Sequence, residues 1–114
     1  MGLQTVTVKG RLFCNGQPSN SQQSYVQLVN KRVGFDDRTT RTSDSDGTFI
    51  LALTVDRNFT ITPELVVYTG CVAPPHCNRQ LMFPVPDKYI NSQTPYDKGT
   101  INLETRQTNE DTVC

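Results

Sequence analysis

The chain has 114 residues, 35% of them hydrophobic, with eleven basic and eleven acidic side chains and a formal net charge of zero. That length fits one small domain spanning residues 1–114, and the charge balance excludes a polyelectrolyte grip on nucleic acid or a broadly basic adhesion to membranes. An anionic partner has to be met locally, by a patch of side chains or through a bound cation. No run of about 18 apolar residues occurs, so no helix is long and apolar enough to cross a bilayer.

Met1-Gly2-Leu3-Gln4-Thr5 leads straight into an alternating segment with no leader pattern. This fits a cytosolic chain, or a mature secreted one with Met1 added for expression. Val6, Val8, Leu12 and Cys14 share one face of an extended segment and Thr5, Thr7, Lys9, Arg11 and Phe13 the other, which predicts a first strand with a bulge at Gly10. Asn15-Gly16-Gln17-Pro18 closes it with turn chemistry. Tyr25 to Val33 predicts a second strand with Val26 and Leu28 inward, and Gly34-Phe35-Asp36-Asp37 turns the chain. Arg38 to Ser43 is polar and threonine-rich, suited to a sheet edge where charge discourages further pairing.

Thr48 to Leu53 has apolar residues at both parities: Phe49, Leu51 and Leu53 on one face, Ile50 and Ala52 on the other. A strand apolar on both faces has to be covered on both, so this one is expected at the centre of the sheet system. Glu64 to Tyr68 and Arg79 to Val85 predict two more strands, with Pro84 and Pro86 confining the end of the second to a rim. A helical turn is expected at Asp87 to Ile90, a last strand at Lys98 to Arg106, and a loose polar tail from Gln107 unless Cys114 tethers it. Seven short strands separated by turn signals describe an all-β sandwich or barrel.

Cys14, Cys71, Cys77 and Cys114 are an even number in a short chain with no Cys-x-x-Cys pair, which favours disulfides over zinc and an oxidising, extracellular compartment. Four cysteines allow three connectivities. Cys71 and Cys77 bracket the rigid arc Val72-Ala73-Pro74-Pro75-His76, whose ends can meet, so the expected pairs are Cys71–Cys77 and Cys14–Cys114. Asn58-Phe59-Thr60 is an N-glycosylation sequon at Asn58, in agreement with secretion.

Taken together, these segments resemble the nematode transthyretin-like family across nearly the whole chain. The resemblance rests on Val6-Thr-Val-Lys-Gly-Arg-Leu-Phe-Cys-Asn-Gly-Gln-Pro18, Asp44-Ser-Asp-Gly-Thr-Phe49 and Phe59-Thr-Ile-Thr-Pro63, with Tyr68 and Cys71. It continues through Cys77-Asn-Arg79, Tyr89-Ile90 and Asp97-Lys-Gly-Thr-Ile-Asn-Leu-Glu104 to Cys114. It implies a small secreted, prealbumin-like β-sandwich of seven to eight strands. The family includes a bridging member that joins phosphatidylserine on dying cells to an engulfment receptor, and the likeness implies that role here.

The related transthyretin fold also hosts hydroxyisourate hydrolases, which use several histidines, an arginine and a Tyr-Arg-Gly-Ser tail. This chain has one histidine, His76, and ends Asp111-Thr-Val-Cys114, so the reading is a non-enzymatic binding protein. A carrier of a small apolar molecule is the alternative. Asp44-Ser-Asp46-Gly47 looks like a calcium loop, but with Gly47 as the turn glycine the first ligand would be Thr42 and the bidentate glutamate Leu53. A β-turn in which the acid caps its own backbone explains the same residues. In a simple up-and-down path, Asp36, Asp37, Asp56, Asp87 and Asp97 would share one end of the sandwich. There they would hold a possible Ca²⁺ that meets a lipid head group, with Lys31, Arg32 and Arg38 adding direct contacts to phosphate. Tyr89, Ile90, Tyr96 and Val113 are the candidates for a receptor or homodimer surface.

Overall fold

A computed structural model of the chain describes residues 2–114. Met1, an added start residue on the secreted reading above, lies outside them. Among the described residues the strands are β1 (Gly2–Cys14), β2 (Gln17–Pro18), β3 (Ser24–Lys31), β4 (Asp36–Thr42), β5 (Thr48–Arg57), β6 (Pro63–Thr69), β7 (Asn78–Pro84), β8 (Tyr96–Asn102) and β9 (Glu110–Val113), with a 3-10 turn at Asp87–Tyr89. They form two facing sheets, the all-β sandwich that the sequence predicts. One sheet is built on β1, which pairs with β2, β5 and β8; the other runs β4-β3-β6-β7-β9 and is antiparallel throughout.

Period-two alternation builds the core. Val6, Val8 and Leu12 of β1 face Val26 and Leu28 of β3, Leu65 and Val67 of β6, and Leu81 of β7, all at 0–1% exposure. Truncating such a side chain to alanine costs about 2–5 kcal/mol. The polar strand expected at Arg38 to Ser43 is β4, at the edge of the second sheet as predicted.

The strand expected at the centre is not there. β5 is an outer strand of the first sheet and buries only Phe49, Leu51, Leu53 and Val55, while Ile50 is 49% exposed. The doubly covered strand is β6, in the middle of the second sheet, where Leu65, Val66 and Val67 are all buried. Apolar residues at both parities therefore marked a strand with a tolerated outer isoleucine, and position in the sheet was decided by pairing.

β8 departs from an up-and-down path. It runs parallel to β1, from Tyr96 opposite Val8 to Asn102 opposite Phe13. The bulge expected at Gly10 falls at this level, but β1 keeps its register with β5 through Gly10; the extra residue is in β8, between Asp97 and Thr100. Gly10 has another reason to be glycine. It pairs with Phe49, and a Cβ there would stand 2.8 Å from the Phe49 ring, which fills the space beneath the strand. Gly47 is similarly constrained: its φ is +85° and a Cβ would lie 2.4 Å from the Leu12 carbonyl oxygen, where the Asp44–Gly47 turn docks on β1.

All four cysteines are paired, but not as expected. The disulfides are Cys14–Cys71 and Cys77–Cys114. Cys71 continues the inward alternation of Leu65, Val67 and Thr69 and meets Cys14 at the end of β1, so this bridge joins the two sheets. Asn78 stands opposite Val113, which places Cys77 against Cys114 one residue further on. The second bridge tethers the tail, whose last residues form β9. Both bridges close long loops, with sequence separations of 57 and 37, so the loop-entropy contribution is about 4 kcal/mol each.

Beside the bridges lies Arg79, fully buried at the start of β7. Its Nε and one terminal nitrogen each donate to a Glu110 carboxylate oxygen at 2.8 Å. It also donates to the carbonyls of Cys71, Leu103 and Thr105. The guanidinium hydrogen bonds hold the Glu110 carboxyl well below its ordinary value, at about 2.

Candidate functional site

The strand registers collect three connections at the end where β1 begins. Lys31 pairs with Asp36, Gly2 with Arg57, Asn30 with Pro63 and Glu64 with Pro84. The β3–β4 turn (residues 32–35), the β5–β6 loop (58–62) and the start of the β7–β8 connection therefore share this end. Every disulfide lies at the opposite one.

Two buried amides hold these loops. Gln4, 1% exposed, donates from Nε2 to the Phe59 carbonyl at 2.9 Å and accepts from the Ile61 amide at 3.0 Å. Asn30, 1% exposed, accepts from the Thr62 amide at 3.0 Å and donates to Asp37 Oδ2 at 3.1 Å. Asp37 in turn pairs with Arg57, which ties the β3–β4 turn to the end of β5 in the other sheet. Burial pushes the Asp37 carboxyl up, but the Asn30 amide and the Arg57 guanidinium together outweigh it and leave the carboxyl below its ordinary value. Among the described residues one donor, Arg57 Nε, is buried without a partner.

These clamped loops turn apolar side chains outward. Val33 is 102% exposed, Phe35 58% and Phe59 56%, with Leu3 at 70% on the neighbouring start of β1. The Arg32 guanidinium lies 4.2 Å over the Phe35 ring. Among the described residues it has no carboxylate at ion-pair distance, whereas Arg38 is 2.8 Å from Asp36 and Lys31 is 4.0 Å from Glu64.

Of the acids expected to converge, Asp36, Asp37 and Asp56 do reach this end, and Asp37 is spent on Arg57. Asp97 does not. It pairs with Lys9, six residues along β1 from the Leu3–Asp56 pair and hence about 20 Å away. The parallel course of β8 is the cause. Asp97 instead accepts from the Gly99 amide at 2.8 Å. Asp87 is exposed in the 3-10 turn. Among the described residues no three His, Cys, Asp or Glu side chains gather to hold a metal ion. Asp46 follows the turn reading, accepting from the Thr48 hydroxyl at 2.6 Å and the Thr48 amide at 3.1 Å, which keeps its carboxyl below the ordinary value. Asp44 begins that turn, its carbonyl taking the Gly47 amide.

Tyr89, Ile90 and Tyr96 are half-buried and close the side of the core, with the two tyrosine rings 4.8 Å apart. Val113 is 49% exposed on β9, at the disulfide end. Asn58 is exposed beside Phe59. His76 is exposed and lines neither of two surface grooves. The larger groove, about 550 Å³, lies on the first sheet, where Lys9, Arg11, Asp44 and Asp97 surround Phe49 and Ile50. The smaller, about 300 Å³, follows β9.

Sequence reasoning missed Val33, Phe35 and Phe59. Val33 reads as the end of a strand, yet β3 stops at Lys31. The available signal was two large apolar residues flanking Gly34 in a turn, where solvent-facing loops are ordinarily polar. Gln4 and Asn30 carried no signal, because the loops that they hold lie far along the chain.

The sequence profile of the Transthyretin-like family matches residues 9–86. The chain belongs to that family. Among its relatives, Transthyretin-like protein 33 of Caenorhabditis elegans is 31% identical over 97% of this chain and 82% of its own length. Transthyretin-like protein 2 of the same organism is 30% identical over the same shares. Within this transthyretin-like sandwich, the matched region ends after β7 and includes both clamped loops, the Asp44–Gly47 turn and the Cys14–Cys71 bridge. A disulfide-bonded domain of this family is consistent with an extracellular protein.

Proposed function

We propose that the chain is a secreted, non-enzymatic adaptor that binds phosphatidylserine-bearing membranes, such as those of dying cells, through its clamped loop end and presents its other end to an engulfment receptor. The observation that carries this reading is Arg32. Among the described residues it has no carboxylate at ion-pair distance, it stacks on Phe35 at the start of the β3–β4 turn, and Lys31 is only loosely engaged beside it. A phosphate or carboxylate of a serine head group completes its hydrogen bonding. Docking by this end leaves Val72 (53% exposed) and Val113 facing away from the membrane, where a receptor can reach them. A homodimer with both loop ends on one particle would raise avidity without new contacts.

Direct contact by arginine and lysine replaces the calcium bridge, because the acids of this end are ion-paired or dispersed. An apolar cargo has less support. The larger groove is open and has four charged side chains around it.

Sedimentation with vesicles of phosphatidylserine and phosphatidylcholine, with and without chelator, tests the reading. Binding should require phosphatidylserine, persist in chelator, and weaken about fivefold for each of Lys31→Ala and Arg32→Ala. Equal affinity for phosphatidylcholine alone would overturn it.

A further inference from the structure

The cations of the loop end are matched by acids. Lys31, Arg32, Arg38 and Arg57 stand beside Asp36, Asp37, Asp56 and Glu64. This end therefore has little net charge with which to attract an anionic surface. What it has in excess is exposed apolar area. Of the eight large hydrophobic side chains exposed on the described molecule, four (Leu3, Val33, Phe35 and Phe59) are here. They sit on two projecting loops and a strand end, so they form a convex tip, not a groove. A rigid protein partner would need matching pockets to cover such tips, whereas hydrocarbon deforms around them.

We infer that Val33, Phe35 and Phe59 enter the acyl region of the bilayer when this end docks, with Arg32 at the head-group level selecting anionic lipid. The inference rests on the membrane-binding reading and adds the mode of attachment. The Arg32–Phe35 stack puts the cation against an exposed apolar side chain, an arrangement in which a long basic side chain can reach phosphate while its neighbour is submerged. The turn between β3 and β4 is four residues long, so insertion is shallow and its backbone groups stay within reach of head groups and water. The Gln4 and Asn30 clamps hold the 58–62 loop backbone in place before contact, which removes part of the ordering cost of binding. A glycan on Asn58, next to Phe59, would hold this end off the membrane, so the test uses protein without sugar there.

The chain contains no tryptophan, so one introduced residue reports alone. Phe35→Trp and Phe59→Trp, made separately, are mixed with phosphatidylserine-containing vesicles whose acyl chains carry bromine at defined depth. Val72→Trp at the far end is the control. Insertion predicts blue-shifted, bromine-quenched emission for the two loop variants and unchanged emission for the control. It also predicts at least a tenfold loss of vesicle affinity for Val33→Asp, with an unchanged thermal midpoint. Sedimentation with the vesicles but no quenching would overturn insertion and leave lipid binding standing. Failure to sediment with any phosphatidylserine vesicle would overturn both. A blue shift without lipid that grows with protein concentration, together with dimers in sedimentation, would assign the tips to a second copy and overturn insertion.

Discussion

At one end of the sandwich, Cys14–Cys71, Cys77–Cys114 and the buried Arg79–Glu110 pair fasten strands of both sheets. At the other, Gln4, Asn30 and the Asp37–Arg57 pair fasten two loops with no covalent bond. The first end supplies stability that a lean core cannot, and it does so by restricting the unfolded chain as much as by stabilising the folded one. The second gives its loops a fixed shape at lower cost. The difference shows how one small sandwich can separate holding itself together from meeting a partner.

The sharpest way to break this comparison is to remove a bridge. Cys14→Ser with Cys71→Ser should lower stability by about 4 kcal/mol, read as a shift of the urea midpoint. Phosphatidylserine-vesicle affinity of the molecules that remain folded should stay within about twofold. If lipid binding fell in step with stability, the two ends would not be separable. A smaller effect follows from acid. The Glu110 carboxyl is held at about 2 against an ordinary 4.5, so its contribution, about 3 kcal/mol, is complete above pH 4.5 and lost as pH falls toward 2. Glu110→Gln should flatten that part of the stability profile. Because Asp37 also titrates low, hydrogen exchange is needed to show that the loss begins around β9 and not in the 58–62 loop.

Much of this was legible in the sequence and some of it could not be. Alternation placed Val6, Val8, Leu12, Val26, Leu28 and Leu81 correctly in the core, because a strand's facing is a local property. The edge position of the polar strand β4 and the role of Asp46 as a cap were readable from local composition too. Which strand sits centrally, which cysteine meets which, and whether Asp97 joins Asp56 depend on pairing between segments far apart in the chain. Those expectations failed together: β8 runs parallel to β1, and the 71–77 arc sends its two cysteines to different partners. Of the basic residues expected at the site, Lys31, Arg32 and Arg38 do share an end. The apolar tips next to them went unseen because Val33 was counted as strand.

The finest test of the comparison is a single amide. Asn30→Ala deletes the acceptor for the Thr62 amide and the donor to Asp37, leaving that half-buried carboxylate paired with Arg57 but short of one hydrogen bond. Leaving such groups unsatisfied costs about 1–3 kcal/mol. Because the clamp lies at one end, the loss should be local. Amides of residues 58–62 should exchange faster while those of β7 and β9, behind the disulfides, keep their protection. Vesicle binding should weaken by less than tenfold, since the apolar tips remain and only their prior ordering is lost. Asn30→Asp, which keeps the acceptor but sets a second carboxylate against Asp37, should raise one of the two carboxyls. The loop would then loosen as pH rises, the reverse of the unmodified chain, in which acid and not base removes the Asp37–Arg57 pair.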